Sequence, residues 1–187
     1  MITGQHAVIR AADPDDAPAM VRLHQPDKPR AFLLDMRREL QNPPIDEVRE
    51  ILGRKEIRQY PFYLIEDLTG LARGMWTLRA PAPDVFFSEF LLALYDDADY
   101  AGPLGLEVMA FIRHYALVEK GLRKVVCQCL CCEDAYRACL FAAGFTSCGV
   151  MRQITYTGGR YLDLETFSLT RDEYAALSGA QGEVSCP

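Results

Sequence analysis

The sequence is short of positive charge, of histidine and of long apolar runs, and each shortage excludes something. Twenty lysines and arginines stand against 26 aspartates and glutamates, leaving a net charge of −6 over 187 residues. A general nucleic-acid or membrane-surface role needs a basic face, so neither partner is expected. The clustered pairs Arg37-Arg38 and Arg54-Lys55 read as solvated helix faces. No segment approaches the roughly 20 consecutive apolar residues of a membrane span. Met1-Ile-Thr-Gly-Gln-His6 has no basic stretch leading into an apolar one, so the expectation is a cytoplasmic protein.

The three histidines, His6, His24 and His114, are scattered and pair with no cysteine motif. That bears on the seven cysteines, of which Cys127, Cys129 and Cys131 alternate and Cys132 follows directly. On a strand, alternate residues share one face at about 6.5–7 Å per step, which is too far apart for the thiolates of one tetrahedral zinc. An odd cysteine count also fits no closed disulfide framework. Small, reduced core cysteines are expected, and no metal.

Half the residues are hydrophobic and a quarter charged, which suits one globular domain with a substantial core. Ala7 to Arg10 reads as a first strand. Asp13-Pro-Asp-Asp16 then supplies an N-cap, a first-turn proline and acidic residues for a helix. Ala31 to Leu40 and Ile45 to Arg54 carry apolar residues at helical spacing, separated by Asn42-Pro-Pro44. Phe62 to Glu66 and Leu71 to Leu78 flank Asp67-Leu-Thr-Gly70 as a hairpin, in which Glu66 and Asp67 read as turn residues. Val85 to Tyr95 reads as a long buried strand, and Pro103 to Glu119 as the principal helix. Lys124 to Leu130 is a strand and Glu133 to Ala143 a helix. Val150 to Tyr156 and Tyr161 to Leu169 form a second hairpin across Thr157-Gly-Gly-Arg160, and Arg171 to Leu177 closes the chain. Residues 1–177 are therefore expected as one α/β domain, with 178–187 as a flexible tail.

Tyr100-Ala-Gly-Pro-Leu-Gly105 is a glycine-punctuated turn that opens a helix after a strand. Such a turn presents backbone N–H groups and a positive dipole end to an anion.

That order of elements, with several local phrases, resembles the GCN5-related N-acetyltransferase superfamily, in particular its ribosomal-protein N-terminal acetyltransferase branch. The likeness runs from Val8 to about Tyr174. Val8-Ile-Arg-Ala-Ala-Asp-Pro-Asp-Asp16 resembles the family's first strand and capped helix. Phe62 to Gly74 is similar to its following hairpin, and Gly144-Phe-Thr-Ser-Cys-Gly149 to the phrase that leaves its last core helix. Tyr156 to Asp163 and Phe167 to Thr170 resemble the C-terminal hairpin of that branch. The resemblance implies a mixed, mostly antiparallel central sheet with helices on both faces. It also implies acetyl-CoA as co-substrate, and transfer of acetyl to a primary amine by direct attack. The acceptor would be a protein N-terminus, an amino sugar or another small molecule. The alternative is a non-catalytic member of the fold that binds an acyl-CoA or a partner as sensor or scaffold. A homodimer is admitted, since nothing in the sequence fixes oligomeric state.

Residue by residue, the resemblance implies that the backbones of Leu92 and Leu94 bond the pantetheine arm. The amides of Gly102, Leu104, Gly105 and Leu106 would hold the pyrophosphate, so that Gly105→Asp would abolish coenzyme binding with the fold intact. The sequence departs from the family signature in two places there: Tyr100 stands at the polar or cationic position, and Pro103 at the first glycine, where it removes a donor. Further on, Glu133 stands at the usual asparagine, and Leu140 at the tyrosine proposed to protonate the leaving thiolate. Tyr136, one turn earlier, is a candidate substitute or else core. Glu89 is the first candidate for the general base, or else a surface residue at a strand end. Trp76, Tyr63, Phe86 and Phe87 are either acceptor-cleft lining or core. The segment from Ala31 to Arg54 and the C-terminal hairpin would shape the acceptor pocket.

Overall fold

The computed structural model describes residues 1–23, 43–54, 61–79, 86–157 and 159–180. The expected helix over Ala31–Leu40, the loop at Pro81–Pro83, Val85 and the tail beyond Ala180 lie outside the described residues.

Among the described residues eight strands form one sheet: β1 (Ile2–Thr3), β2 (Val8–Ala11), β3 (Phe62–Glu66), β4 (Ala72–Leu78), β5 (Phe87–Leu94), β6 (Lys124–Leu130), β7 (Thr146–Thr157) and β8 (Arg160–Thr170). Their order is β1-β2-β3-β4-β5-β6-β8-β7. Every neighbouring pair is antiparallel except β5 and β6. This is the mixed, mostly antiparallel sheet that the sequence led us to expect.

Strand alternation sorts the side chains into two layers. Leu64, Met75 and Ala93 face one way, against α1 (Ala17–Arg22) and α2 (Ile45–Gly53), which contribute Ala17, Met20, Val48 and Leu52. Ile65, Trp76, Leu92, Leu94 and Cys127 face the other way. There they meet α4 (Pro103–His114) and α5 (Asp134–Ala142) through Val108, Met109, Ile112, Cys139 and Leu140. Each fully buried aliphatic or aromatic side chain contributes about 1.5–3 kcal/mol of transfer free energy. Helices on both faces follow from this division.

Local signals explain most boundaries. Asp13 accepts from Asp15 N while Asp16 accepts from Asp13 N, a reciprocal capping box around the 3₁₀ turn Pro14–Asp16 that leads into α1. The Asp67 carboxylate ties the turn between β3 and β4, accepting from Thr69 N at 2.9 Å and Leu71 N at 3.1 Å. Gly144 takes a positive φ of 82° where α5 ends.

Several expectations are corrected. Ile2–Thr3 adds an edge strand whose two residues are too few to show a period. The segment before the principal helix is partly helical itself: α3 (Asp97–Ala101) ends at Gly102, so Tyr100 belongs to a helix and not to a turn. The principal helix is α-helical only to His114 and continues as a π turn, Tyr115–Glu119. β7 begins at Thr146, four residues before Val150. A register shift between Ser147 and Gly149 interrupts its alternation there, and Gly149 has a φ of 138°. The closing helix, α6, runs Arg171–Ala180, past Leu177. Among the cysteines, Cys127, Cys129 and Cys139 are buried. Cys131 and Cys132 follow the end of β6, half-buried and exposed respectively, and Cys148 is exposed.

Candidate functional site

The sheet parts at its centre. β5 and β6 pair at Phe87–Lys124, Ser88–Val125 and Glu89–Val126, and among the described residues at no point beyond. From Phe90 and Cys127 onward a gap opens between the strands. β5 is held to β4 by its odd-numbered residues: Arg79 N donates to Glu89 O at 2.8 Å and Tyr95 N to Arg73 O at 2.9 Å. Antiparallel alternation therefore turns the amides and carbonyls of Phe90, Leu92 and Leu94 toward the gap.

Tyr100 meets those groups. Leu94 N donates to Tyr100 Oη at 2.9 Å, and Tyr100 Oη lies 3.5 Å from Leu92 O. The tyrosine is 1% exposed. Its ring lies against that of Tyr136, centroids 4.8 Å apart and planes 34° from parallel. Tyr136 rises from α5, and burial pushes its hydroxyl well above the ordinary tyrosine value, so it stays protonated. Burial also pushes the Cys127 thiol well up, against a hydrogen bond from Tyr136 that works the other way. At the start of α5, Glu133 is buried and accepts from Leu130 N at 3.1 Å.

After Tyr100 the chain turns at Gly102 into α4. Gly102 is its N-cap and Pro103 its first residue. The Leu106 amide donates to Gly102 O at 3.4 Å, so it belongs to the first turn and drops from the set of expected anion donors. Gly102, Leu104 and Gly105 remain at the positive end of a 12-residue helix. Gly105 has a second role. A Cβ there would lie 2.8 Å from Tyr100 Cα and closer still to Asp99 O, so only glycine lets α4 begin tight against α3. The expectation that Gly105→Asp leaves the fold intact is therefore corrected: any side chain collides with backbone. Three aspartates stand nearby, and Arg73 reaches two of them, Asp99 at 2.6 Å and Asp96 at 3.9 Å.

Glu89 is the last paired residue before the strands part. It lies on the α1 and α2 side of β5, the side of Leu91 and Ala93. Its Oε2 is 2.9 Å from Arg79 Nη1.

Comparison with solved structures places this geometry. A spermidine N-acetyltransferase from Vibrio cholerae in complex with CoA and spermine matches with a TM-score of 0.75 at 16% identity, over 92% of this chain and 99% of that one. The spermidine/spermine N-acetyltransferase SpeG of the same organism in complex with manganese ions gives 0.73 at 16% identity, over 92% and 97%. A ribosomal-protein-alanine N-acetyltransferase from Brucella melitensis gives 0.66 at 20% identity, over 87% and 99%. The chain has the GCN5-related N-acetyltransferase fold. No protein-family model matches the sequence, and no curated protein matches it.

Within this N-acetyltransferase fold, the expected site residues fall at separate points along the gap. Leu92 and Leu94 line it, Glu89 marks its vertex, Tyr136 packs on Tyr100, and Gly102, Leu104 and Gly105 lie at the start of α4. The aromatic group divides. Trp76 is fully buried, stacked on Tyr63 with centroids 4.5 Å apart and edge-on to Phe111 of α4 and Tyr115 of the π turn. Phe86 and Phe87 are exposed at the start of β5, beneath Arg123 and Lys124. These four do not form one cleft, because Trp76 and Phe87 lie at opposite positions in the alternation and on different strands. Two contacts at the gap were not legible in the sequence, that of Arg79 with Glu89 and that of the Tyr100 hydroxyl with Leu94 N. The run Asp96-Asp-Ala-Asp-Tyr-Ala-Gly102, acidic at its start and closed by glycine, was the available signal for the helix that aims Tyr100. Among the described residues, no three of His, Cys, Asp or Glu converge as metal ligands, and no helix is long and apolar enough to cross a membrane.

Proposed function

We propose that the protein is an acetyl-CoA-dependent N-acetyltransferase acting on a primary amine. The observation that carries this reading is the parting of β5 and β6 beyond Glu89–Val126, with the backbone groups of Phe90, Leu92 and Leu94 aimed into the gap. An extended, amide-bearing chain can bond such an edge as a strand would. The donors fit the coenzyme: Leu92 and Leu94 would hold its arm, and the amides of Gly102, Leu104 and Gly105 its pyrophosphate. Acetyl-CoA supplies the activated acyl group when bound.

The chain's own residues then divide the remaining work. Glu89, at the vertex, takes the proton from the acceptor amine directly or through water. The Leu92 amide faces the region where negative charge would develop. Tyr136, kept protonated by burial, is the candidate to return a proton to the departing thiolate. Holding amine and acyl group together contributes further, whatever the base. The acceptor is a small-molecule amine or a protein N-terminus, and the solvent of action is the cytoplasm.

A second reading, a non-catalytic acyl-CoA sensor or scaffold of the same fold, is favoured by one specific observation. Tyr100 already takes the Leu94 N–H that the coenzyme arm would need. Calorimetry with acetyl-CoA, followed by a thiol-release assay over spermine, glucosamine and a peptide with N-terminal alanine, separates the two. Binding with turnover of one amine supports the transferase. Binding without turnover of any supports the sensor, and no binding at all removes both.

A further inference from the structure

We infer that Tyr100 is a side-chain gate: its hydroxyl holds the edge of β5 where the coenzyme arm would bond, and it must leave before coenzyme enters. The inference rests on the reading that this cleft takes acyl-CoA. Parted strands leave backbone donors and acceptors without a ladder, and a buried unpaired group costs about as much as a lost hydrogen bond. Leu94 N–H is such a donor, and Tyr100 Oη satisfies it at 2.9 Å. The same hydroxyl reaches toward Leu92 O at 3.5 Å, so one atom spans two successive inward-facing residues of the strand edge. A phenol can do this because it both donates and accepts. The ring packs on that of Tyr136 and is 1% exposed.

The mounting of the gate suits movement. Tyr100 sits on α3, only five residues long and ended by Gly102 and Pro103. A helix of that length has little stability of its own. It is held from outside, by Arg73 on Asp99 with bonds of 2.6 and 3.1 Å, and by the close approach of Gly105 to the Asp99–Tyr100 backbone. The helix can therefore stay anchored at Asp99 while the side chain of Tyr100 turns out. Coenzyme affinity is then reduced by the fraction of molecules in which the tyrosine holds the edge.

The test is isothermal calorimetry of acetyl-CoA binding to the full chain and to Tyr100→Phe, with NMR of the Tyr100 ring in the sequentially assigned unmodified protein. Phenylalanine keeps the packing on Tyr136 and removes the hydroxyl that competes for Leu94 N–H. The expected result is acetyl-CoA affinity higher by about threefold to tenfold, the worth of one neutral hydrogen bond. The Tyr100 ring signals of the unmodified protein should move toward solvent-exposed values as coenzyme saturates it. Acetyl-CoA binding with equal or lower affinity in Tyr100→Phe and an unmoved Tyr100 ring would overturn the gate while leaving the coenzyme reading in place. No acetyl-CoA binding to either protein would overturn the coenzyme reading and the gate with it. Should Tyr100→Phe not fold, the ring signals of the unmodified protein decide alone.

Discussion

Arg79 Nη1 lies 2.9 Å from Glu89 Oε2, across the β4–β5 edge at the level where β5 leaves β6. Arg79 also donates its backbone N–H to Glu89 O, and its own carbonyl accepts from Ser88 Oγ. The candidate base is thus held by one neighbour through both side chain and main chain. Glu89→Gln keeps the shape and removes the proton acceptor. Turnover should fall by about 10²–10⁴-fold, with acetyl-CoA affinity unchanged. Steady-state kinetics beside calorimetry gives the answer, and equal turnover in both proteins removes Glu89 from the mechanism.

Gly105 reads as a packing residue as much as a phosphate donor. Gly105→Ala places a methyl against the Asp99–Tyr100 backbone, and overpacking of this kind costs about 1–3 kcal/mol. For a chain of this size each kcal/mol lowers the melting temperature by about 2–4 °C. Differential scanning calorimetry should show that loss together with weaker coenzyme binding. An unchanged melting temperature would return Gly105 to a purely ligand-binding role.

Asp16 joins the cap of the first helix to the sheet through two 2.7 Å bonds from Arg10, which also reaches Glu66 at 2.8 Å. Burial works to raise the Asp16 carboxyl, but the Arg10 hydrogen bonds, then the Asp13 amide, bring it below the usual carboxylate range. A lowered folded value means that this stabilisation is fully present above the ordinary aspartate value of about 4. It is lost as the pH falls through the folded value. Asp16→Asn should therefore cost about 1–2 kcal/mol at neutral pH, and the difference should shrink in acid. Urea titrations at a series of pH values measure it, and a gap independent of pH would rule out the ion pair as its source.

The buried thiols should be chemically quiet. Burial raises the thiols of Cys127, Cys129 and Cys139, the last to about 11. Iodoacetamide on the folded protein should label exposed Cys132 and Cys148 first and reach those three only on unfolding. Peptide mass mapping over time reads the order. Early labelling of Cys127 would mean that the cleft opens more often than the closed arrangement implies.

The sequence made some of this legible, for physical reasons. Phe62–Glu66 and Lys124–Leu130 were placed to the residue because turn signals bound them and their side chains alternate or are uniformly apolar. α3 was missed because five residues are too few to display a helical period. The start of α4 was legible in Gly102-Pro-Leu-Gly105, but the engagement of Leu106 is a matter of one hydrogen bond. The bond from Leu94 N to Tyr100 Oη depends on how tightly Gly105 draws two helices together, which no local pattern states. Arg79 was missed because its partner is reached only once β4 and β5 are in register.

The short pairing of β5 with β6 has a mechanical consequence. Three register pairs join the first five strands to the last three, whereas β6 and β8 share seven. The two halves are joined elsewhere by the core shared between Leu92, Leu94, Val125 and Cys127, and by Arg113 of α4 donating to Ala143 O at the end of α5. Within the sheet, a pull that separates these two halves would load the three pairs at Phe87–Glu89 and leave the seven of β6 and β8 intact. The opening that gives the cleft its room thus leaves a short ladder to carry the strain between the two halves.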